Sequence, residues 1–345
     1  MGMIFHSEAL AMTRCIWTIF LLSLLLLSGC AQTATPQADG HDTSAESQTE
    51  EEGDHLPLLA ALDLVEGEKV RVVATTNLVA DVVGRIGGDA ISLRSLLPPG
   101  ADPHGYQATP DDLRAINDAH LLFVNGLGLE ESLEAILDVS THAKTVPVNV
   151  GVALIEADEE EEAHHHTGGN PHTWWSVAAV EQWTHNIEQS LAALDPAHAE
   201  AYAANAAVYR GELAALQSAL QEMVGQIPSE QRKLATDHDT LAYFAQEFDF
   251  QIVGLVVPSF SSLAEPSAQH LAQLQDQIRA EDVRAIFVGS TVNPRQAQQL
   301  AQDLGIAVVP IFTDSLSAAD GPAATYLNFM RYNVGAIVDA LGEGK

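Results

Sequence analysis

Three histidines and one aspartate in this 345-residue sequence stand just past the carboxyl ends of predicted β-strands. The four residues are His104, His172, His238 and Asp314. In open α/β sheets, that edge is where ligands bind. Three imidazoles and one carboxylate form a complete set of ligands for a tetrahedral divalent ion. We therefore predict that these four side chains converge on one metal ion.

Each of the four residues also has an ordinary structural interpretation. A single histidine after a strand is more often a polar loop residue than a ligand. Asp314 lies in Thr313-Asp314-Ser315, which is equally typical of a helix N-cap or an Asx-turn. Four such residues at equivalent strand ends favour the metal site. Other histidines fall in or beside predicted helices and strands and are interpreted as surface or capping residues: His120, His142, His185, His198 and His270.

A second group of possible ligands lies just before His172. Six carboxylates between residues 156 and 162 are followed by His164, His165 and His166. Such a charged run is usually a solvated loop. Imidazole beside carboxylate has fair affinity for zinc, and histidine-rich tracts bind metals. We predict that His164, His165 and His166 provide weak, auxiliary metal capture.

The elements that position these residues follow from the sequence pattern, in which short β-rich runs alternate with helical periods. The first group has predicted strands at residues 70–74, 91–96, 121–124 and 145–150, and helices at 78–86, 110–119 and 129–137. A helix-rich section over 176–226 is broken at residues 195–196, and its second part, from 197, is long enough to bridge two lobes. The second group has strands at 233–236, 251–257, 284–288 and 307–311, and helices at 241–248, 266–280, 294–304 and 323–341. We predict an α/β fold of two parallel-sheet lobes joined by one long bridging α-helix, with the metal site in the cleft between the lobes.

The composition limits the classes of partner and site. Lys and Arg number 15 against 47 Asp and Glu, and the resulting net charge of −32 repels phosphate backbones, which argues against nucleic acid as a partner. Both cysteines, Cys15 and Cys30, lie in the first thirty residues. Any transition metal in the folded part must therefore be held by histidine and carboxylate.

The N-terminus predicts export and a lipid anchor. An apolar run over residues 16–27 has the length of a secretory signal and is short for a membrane span. It ends in Leu27-Ser28-Gly29-Cys30, which resembles a bacterial lipobox, so we predict lipidation of Cys30; an uncleaved signal anchor is the alternative.

The predicted division of the chain has five parts. They are a signal peptide at 1–29, an acidic tether at 30–68, a first α/β lobe at 69–175 with an acidic histidine-rich loop at 156–169, a helical linker at 176–228, and a second α/β lobe at 229–345. Within the tether, a short helix is one alternative for the apolar residues 56–64.

Several motifs in order resemble the solute-binding lipoproteins of zinc and manganese ABC importers, the ZnuA/TroA-like group called cluster A-I. The resemblance covers about residues 70–341 and rests on Asp102-Pro103-His104-Gly105-Tyr106, Thr109-Pro110-Asp111-Asp112, Asn170-Pro171-His172-Thr173-Trp174, Tyr202, Asn205, His238-Asp239, Tyr243-Phe244, Glu265-Pro266-Ser267, Tyr326, Arg331 and Asn333. Three features depart from the family pattern: Asn170 replaces an aspartate, Gly289 stands where many members have glutamate, and no Pro-Leu-Gly follows Asp314.

The resemblance implies a function and partners. It places His104, His172, His238 and Asp314 on the family's four ligand positions, and it implies capture of a divalent metal outside the cytoplasm for an ABC importer permease. The protein is expected to be a monomer, anchored to the membrane surface through lipid. Manganese-type members generally use two histidines and two carboxylates, so the third imidazole here favours Zn²⁺ over Mn²⁺.

Two alternative functions remain open from the sequence. A secreted zinc hydrolase needs three protein ligands and an open position for water, whereas this chain has no His-Glu-x-x-His and offers four ligands. That pattern argues against an enzyme. A surface lipoprotein that buffers metal or acts as an adhesin, without an importer, needs only the same capture and release.

Overall fold

The computed structural model describes residues 55–137, 143–156 and 168–342. Eight strands are present in this part of the chain: β1 Val70–Ala74, β2 Ile91–Ser95, β3 Leu121–Val124, β4 Lys144–Pro147, β5 Lys233–Thr236, β6 Gln251–Leu255, β7 Ala285–Gly289 and β8 Ala307–Ile311. The α-helices are α1 Asn77–Gly87, α2 Pro110–Asp118, α3 Glu131–Leu137, α4 Val177–Leu194, α5 Ala199–Val224, α6 Ala242–Phe248, α7 Ala268–Ala280, α8 Arg295–Leu304 and α9 Tyr326–Leu341. Cys30, His142, His164, His165 and His166 lie outside the described residues.

The strands form two parallel sheets with the same topology. The first has the order β2-β1-β3-β4 and the second the order β6-β5-β7-β8. Each sheet therefore places its first strand in the middle, beside its third. The predicted α/β fold of two parallel-sheet lobes is confirmed.

Side chains alternate across each sheet because the pleat points successive residues to opposite faces. In β1, Val70, Val72 and Ala74 belong to a large central core, while Val73 belongs to a separate cluster on the other face. In β7, Ala285 and Phe287 face the same central core, and their neighbours face a third cluster. Helices cover both faces of each sheet, as parallel sheets require, and one apolar core is continuous from the first sheet to the second.

The long helix α5 is the element that joins the two halves. Its buried side, from Tyr202 through Leu213 to Val224, follows a helical period. It packs against α1 and α4 of the first half and against α9 of the second. Its 26 residues span about 39 Å at 1.5 Å per residue, as expected for the predicted bridging helix. No helix in the described part of the chain is long and apolar enough to cross a membrane.

Residues 56–64 differ from the prediction, because they form neither a helix nor a solvated tether. No helix or strand forms there, and Leu58 is exposed whereas the other four leucines are partly buried. Leu56, Leu59, Leu62 and Leu64 pack against the central core, and the Leu62 N–H donates to the Leu194 carbonyl at 2.8 Å. Partial burial of these four leucines offsets the entropy lost when the segment is ordered. The polar composition of the surrounding residues does not reveal this packing.

Candidate metal centre

The loops after four strands carry the predicted ligands into one place. His104 lies in the loop between β2 and α2, and His172 lies in the segment that leads from β4 to α4. His238 comes two residues after β5, and Asp314 three residues after β8. Each sheet therefore contributes two of the four side chains, all of them from the carboxyl ends of its strands.

The four side chains are buried and converge. One ligand atom from each lies within 4.8 Å of every other. The Nε2 atoms of His104 and His172 are 3.3 Å apart, and Asp314 Oδ1 lies 3.8 Å from His172 Nε2 and 3.6 Å from His238 Nε2. A zinc ion with bonds of about 2.05 Å would separate tetrahedral ligand atoms by about 3.3 Å. The observed spacing is thus suited to one four-coordinate ion.

Hydrogen bonds at Nδ1 orient two of the imidazoles. His172 Nδ1 is 2.8 Å from Asn170 Oδ1, and His238 Nδ1 is 2.9 Å from Asp237 Oδ1. A proton on each Nδ1 leaves Nε2 as the atom that faces the centre, the arrangement that metal-binding histidines commonly have. His238 Nε2 is buried and has no hydrogen-bond partner. A buried, unpartnered nitrogen among other ligand atoms fits a site that takes a cation.

Asp314 is held mainly through one oxygen. Its Oδ2 accepts hydrogen bonds from the hydroxyls of Thr313, at 2.6 Å, and Thr291, at 2.9 Å. Its Oδ1 faces the histidines, and the Thr240 hydroxyl reaches it only at 3.5 Å. The Trp174 indole N–H donates to the Thr313 carbonyl at 2.8 Å, which ties the Asp314 loop to the segment that carries His172.

The charges at the centre shift two pKa values in opposite directions. Burial lowers the pKa of His238, but the carboxylates of Asp237 and Asp314 outweigh it and raise that pKa well above its usual value. Burial raises the pKa of Asp314, but His238, His172 and His104 outweigh it and hold that pKa below its usual range. The centre therefore keeps one carboxylate ionised beside imidazoles that attract protons or a metal.

Two departures from the family pattern have a structural explanation. Asn170 accepts from His172 with its amide oxygen and donates with its amide nitrogen to the Asp239 carbonyl at 2.9 Å, so it keeps the acceptor that an aspartate would offer, without the charge. A side chain at Gly289 would place its Cβ 2.2 Å from Thr313 Oγ1. The Gly289 N–H instead donates to Asp237 Oδ2 at 2.6 Å.

Sequence reasoning did not identify Asp237, Thr291 and Thr313. Asp237 is adjacent to His238, and Thr313 to Asp314, so proximity to a ligand was the available signal. No ligand lies near Thr291 in the sequence. Its hydroxyl reaches Asp314 because β7 and β8 are neighbours in the sheet.

Histidines that were interpreted as structural lie away from the centre where they are described. His120 Nδ1 accepts from the Arg71 N–H, His198 Nδ1 lies 2.7 Å from Asp195, and the His270 ring bonds the Leu255 carbonyl. In the described residues, the only group of three or more histidines and carboxylates with metal-ligand spacing is His104, His172, His238 and Asp314.

A cavity of about 510 Å³ adjoins His238. Asp102, Asp237 and Glu265 line it, and the Ser262 hydroxyl donates to Asp102 Oδ2 at 2.6 Å across the two halves. Burial raises the pKa of Asp102. The rest of the lining includes apolar side chains such as Val256, Val288 and Val292.

Comparisons with known proteins give one family and relatives that bind different metals. The family described as ZnuA, zinc-uptake complex component A periplasmic, matches residues 72–340. The chain is 29% identical over 279 residues to the manganese-binding lipoprotein MntA of Halalkalibacterium halodurans, covering 81% of this chain and 90% of that one. It is 32% identical over 277 residues to the iron-binding protein YfeA of Yersinia pestis, covering 80% of this chain and 88% of that one.

Solved structures with the same fold include proteins described as binding manganese and as binding zinc. A Mn-bound periplasmic metal binding protein from Candidatus Liberibacter asiaticus matches with a TM-score of 0.71 at 29% identity, covering 79% of this chain and 100% of that one. The periplasmic zinc binding protein TroA from Treponema pallidum matches with a TM-score of 0.73 at 26% identity, covering 80% of this chain and 100% of that one.

Proposed function

Because this chain belongs to the family of periplasmic zinc-uptake complex A components, we propose that it captures a divalent transition metal outside the cytoplasm. It then delivers the ion to the permease of an ABC importer. The metal is cargo, so the site must bind tightly and also release. A hydrolase is disfavoured because four ligand side chains would leave no open position for a reactive water.

The observation that carries this proposal is the convergence of four buried ligand side chains from two sheets. His104 and His172 come from one half of the fold, and His238 and Asp314 from the other. An ion bound between two halves can be released when the halves separate, whereas a site on one rigid element has no such route. Transport therefore explains the arrangement better than permanent buffering does.

We propose Zn²⁺ as the cargo and Mn²⁺ as the weaker competitor. The donor set is three imidazole nitrogens and one carboxylate, which suits zinc, whereas manganese prefers oxygen ligands. The relatives named for manganese and iron are about 30% identical to this chain, which allows the ligands themselves to differ.

The anchor and the division of the chain complete the proposal. Lipidation at Cys30 would hold a monomeric protein on the membrane surface beside its permease, with the acidic chain between Cys30 and the packed residues 56–64 as a tether. The two lobes would extend over residues 69–175 and 229–345, joined by the helical linker at 176–228. His164, His165 and His166 would collect metal weakly near the cleft.

The test is elemental analysis of the full chain, purified without added metal and without a polyhistidine tag, followed by competition between zinc and manganese. We expect one tightly held zinc per chain that manganese displaces only in large excess. His104→Ala and His238→Ala should each lower zinc affinity by orders of magnitude with unchanged circular dichroism. His185→Ala, on α4, is the control. Unchanged zinc binding in both ligand variants would refute the site, and tighter manganese binding would refute the proposed cargo.

A further inference from the structure

We propose that the hydroxyls of Thr291 and Thr313 restrict Asp314 to one ligand oxygen and so select four-coordinate zinc over manganese. The inference rests on the proposed function, because it concerns the same centre. It assigns a role in metal selection to two residues that do not themselves contact the ion.

The two hydroxyls occupy the hydrogen-bonding capacity of one carboxylate oxygen. Each oxygen of an ionised carboxylate has about two lone-pair sites. Thr313 Oγ1 donates to Asp314 Oδ2 at 2.6 Å, and Thr291 Oγ1 donates to the same atom at 2.9 Å. Both sites of Oδ2 are then used, and only Oδ1 faces the three imidazoles. Asp314 can therefore bind an ion through only one of its two oxygens, Oδ1.

The surrounding structure keeps both hydroxyls in place. Thr313 is fully buried, and its carbonyl accepts from the Trp174 indole. The absence of a side chain at Gly289 makes room for the Thr313 hydroxyl, since a Cβ there would lie 2.2 Å from Thr313 Oγ1. Thr291 follows β7, next to the strand that leads to Asp314. The two threonines that hold Asp314 thus come from the ends of two neighbouring strands, β7 and β8.

Ligand number separates the two metals. Zinc accepts a tetrahedral set of four ligands, while manganese favours octahedral surroundings rich in oxygen. A second oxygen from Asp314 would add a fifth ligand of the kind that manganese prefers. Two threonine hydroxyls that occupy this oxygen remove that option and leave three nitrogens and one oxygen.

The test compares Thr291→Val, Thr313→Val and the double variant with wild type and with the control Thr184→Val. Thr184 is also a buried threonine, but its hydroxyl donates to the Glu181 carbonyl on α4, away from the centre. Dissociation constants for zinc and manganese are measured by competition, and bound Co²⁺ is used as a visible probe of coordination number. Thr291→Ser and Thr313→Ser keep the hydroxyl and serve as the rescue.

We expect the preference for zinc over manganese to fall about tenfold or more in the double valine variant, the size typical of changes to groups that support ligands. Its Co²⁺ absorption should lose the intensity of a four-coordinate centre, while the serine variants and Thr184→Val keep the wild-type ratio and spectrum. Thr291 is only partly buried, so Thr291→Val alone should fold and shift the ratio in the same direction.

Three results have distinct meanings. If the wild type binds neither zinc nor manganese tightly, the proposed function fails, and if it binds manganese more tightly than zinc, the proposed cargo and this selection role both fail. If the wild type holds zinc but the valine variants weaken both metals equally, with an unchanged ratio and Co²⁺ spectrum, the threonines are only structural and the present proposal is overturned.

Discussion

Two histidines at the centre have supporting partners of different charge. His172 is held by the neutral amide of Asn170, and His238 by the carboxylate of Asp237. Asp237 is itself fixed, because its second oxygen accepts the Gly289 N–H. At the residue scale, this makes Asp237 the positioning group for His238. Gly289 has no side chain that could support His238, and the carboxylate beside this histidine comes from Asp237.

Asp237→Asn should therefore weaken zinc binding about 10- to 100-fold while the fold persists. Both oxygens of Asp237 accept hydrogen bonds, one from the Gly289 N–H and one from His238. An asparagine has only one acceptor oxygen, so its NH₂ group would face one of these two donors. Competition titration measures the affinity. Asp303→Asn, at an exposed position on α8, is the control for the loss of one charge. Equal affinities in the two variants would remove Asp237 from the centre.

Zinc loading should release protons near pH 7. The pKa of His238 is raised well above its usual value by Asp237 and Asp314, against the effect of burial, so the metal-free imidazole carries a proton that zinc must displace. Asp314 stays ionised and releases none. Because protons and zinc compete for the His238 imidazole, zinc affinity should fall as the pH falls.

Calorimetry at one pH in two buffers with different ionisation enthalpies measures the release. The difference in apparent binding enthalpy, divided by the difference in the ionisation enthalpies of the buffers, gives the number of protons released. We expect about one proton per zinc. An enthalpy that is the same in both buffers would mean that His238 is already neutral in the metal-free protein.

At the scale of elements, the sequence pattern located most helices and strands within two or three residues. Strands β1, β3, β5 and β8 match their predicted bounds, because short runs rich in β-branched and apolar residues, bounded by polar residues, are typical of strands. Residues 56–64 were not predicted correctly, since their order depends on packing against the distant helix α4. The four candidate ligands were identifiable from strand ends, whereas Thr291 depends on which strands pair, which no local pattern contains.

Hydrogen bonds join the chain just before residue 157 to the chain just before His172. The Asn170 N–H donates to the Ile155 carbonyl at 2.8 Å, and the Tyr243 hydroxyl bonds both the Ile155 N–H and the Asn170 carbonyl. These bonds fix the chain before His172 independently of the acidic histidine-rich loop.

Deletion of residues 157–166 should therefore remove weak zinc equivalents and leave one tight site per chain. Ordering a charged loop costs entropy, so any zinc it binds should be held more weakly than at four preplaced ligands. Equilibrium dialysis over a range of zinc concentrations measures both classes. Loss of the tight site would place a primary ligand among His164, His165 and His166. An unchanged total would return the loop to a solvated charge run.

At the scale of the whole molecule, the centre and the shared core connect the same two halves. The central apolar cluster extends from Val70 in the first sheet to Phe287 in the second and includes one side of α5. Polar contacts add to it: Asn77 donates to the Ser315 hydroxyl at 2.8 Å and accepts from the Leu316 N–H at 2.8 Å. An ion held by two ligands from each half would contribute to the same interface.

Zinc should therefore stabilise both halves together and raise a single unfolding transition. A ligand that binds only the folded state, at a free concentration of about a thousand times its dissociation constant, adds about 4 kcal/mol to the free energy of unfolding. For a chain of this size that corresponds to roughly 6 °C in melting temperature. Calorimetric scans with zinc and with chelator measure the shift, and His238→Ala, which lacks one ligand, should show almost none. A shift of equal size in that variant would assign the effect to the many surface carboxylates, and two separate transitions, only one of them moved by zinc, would show that the ion does not link the halves.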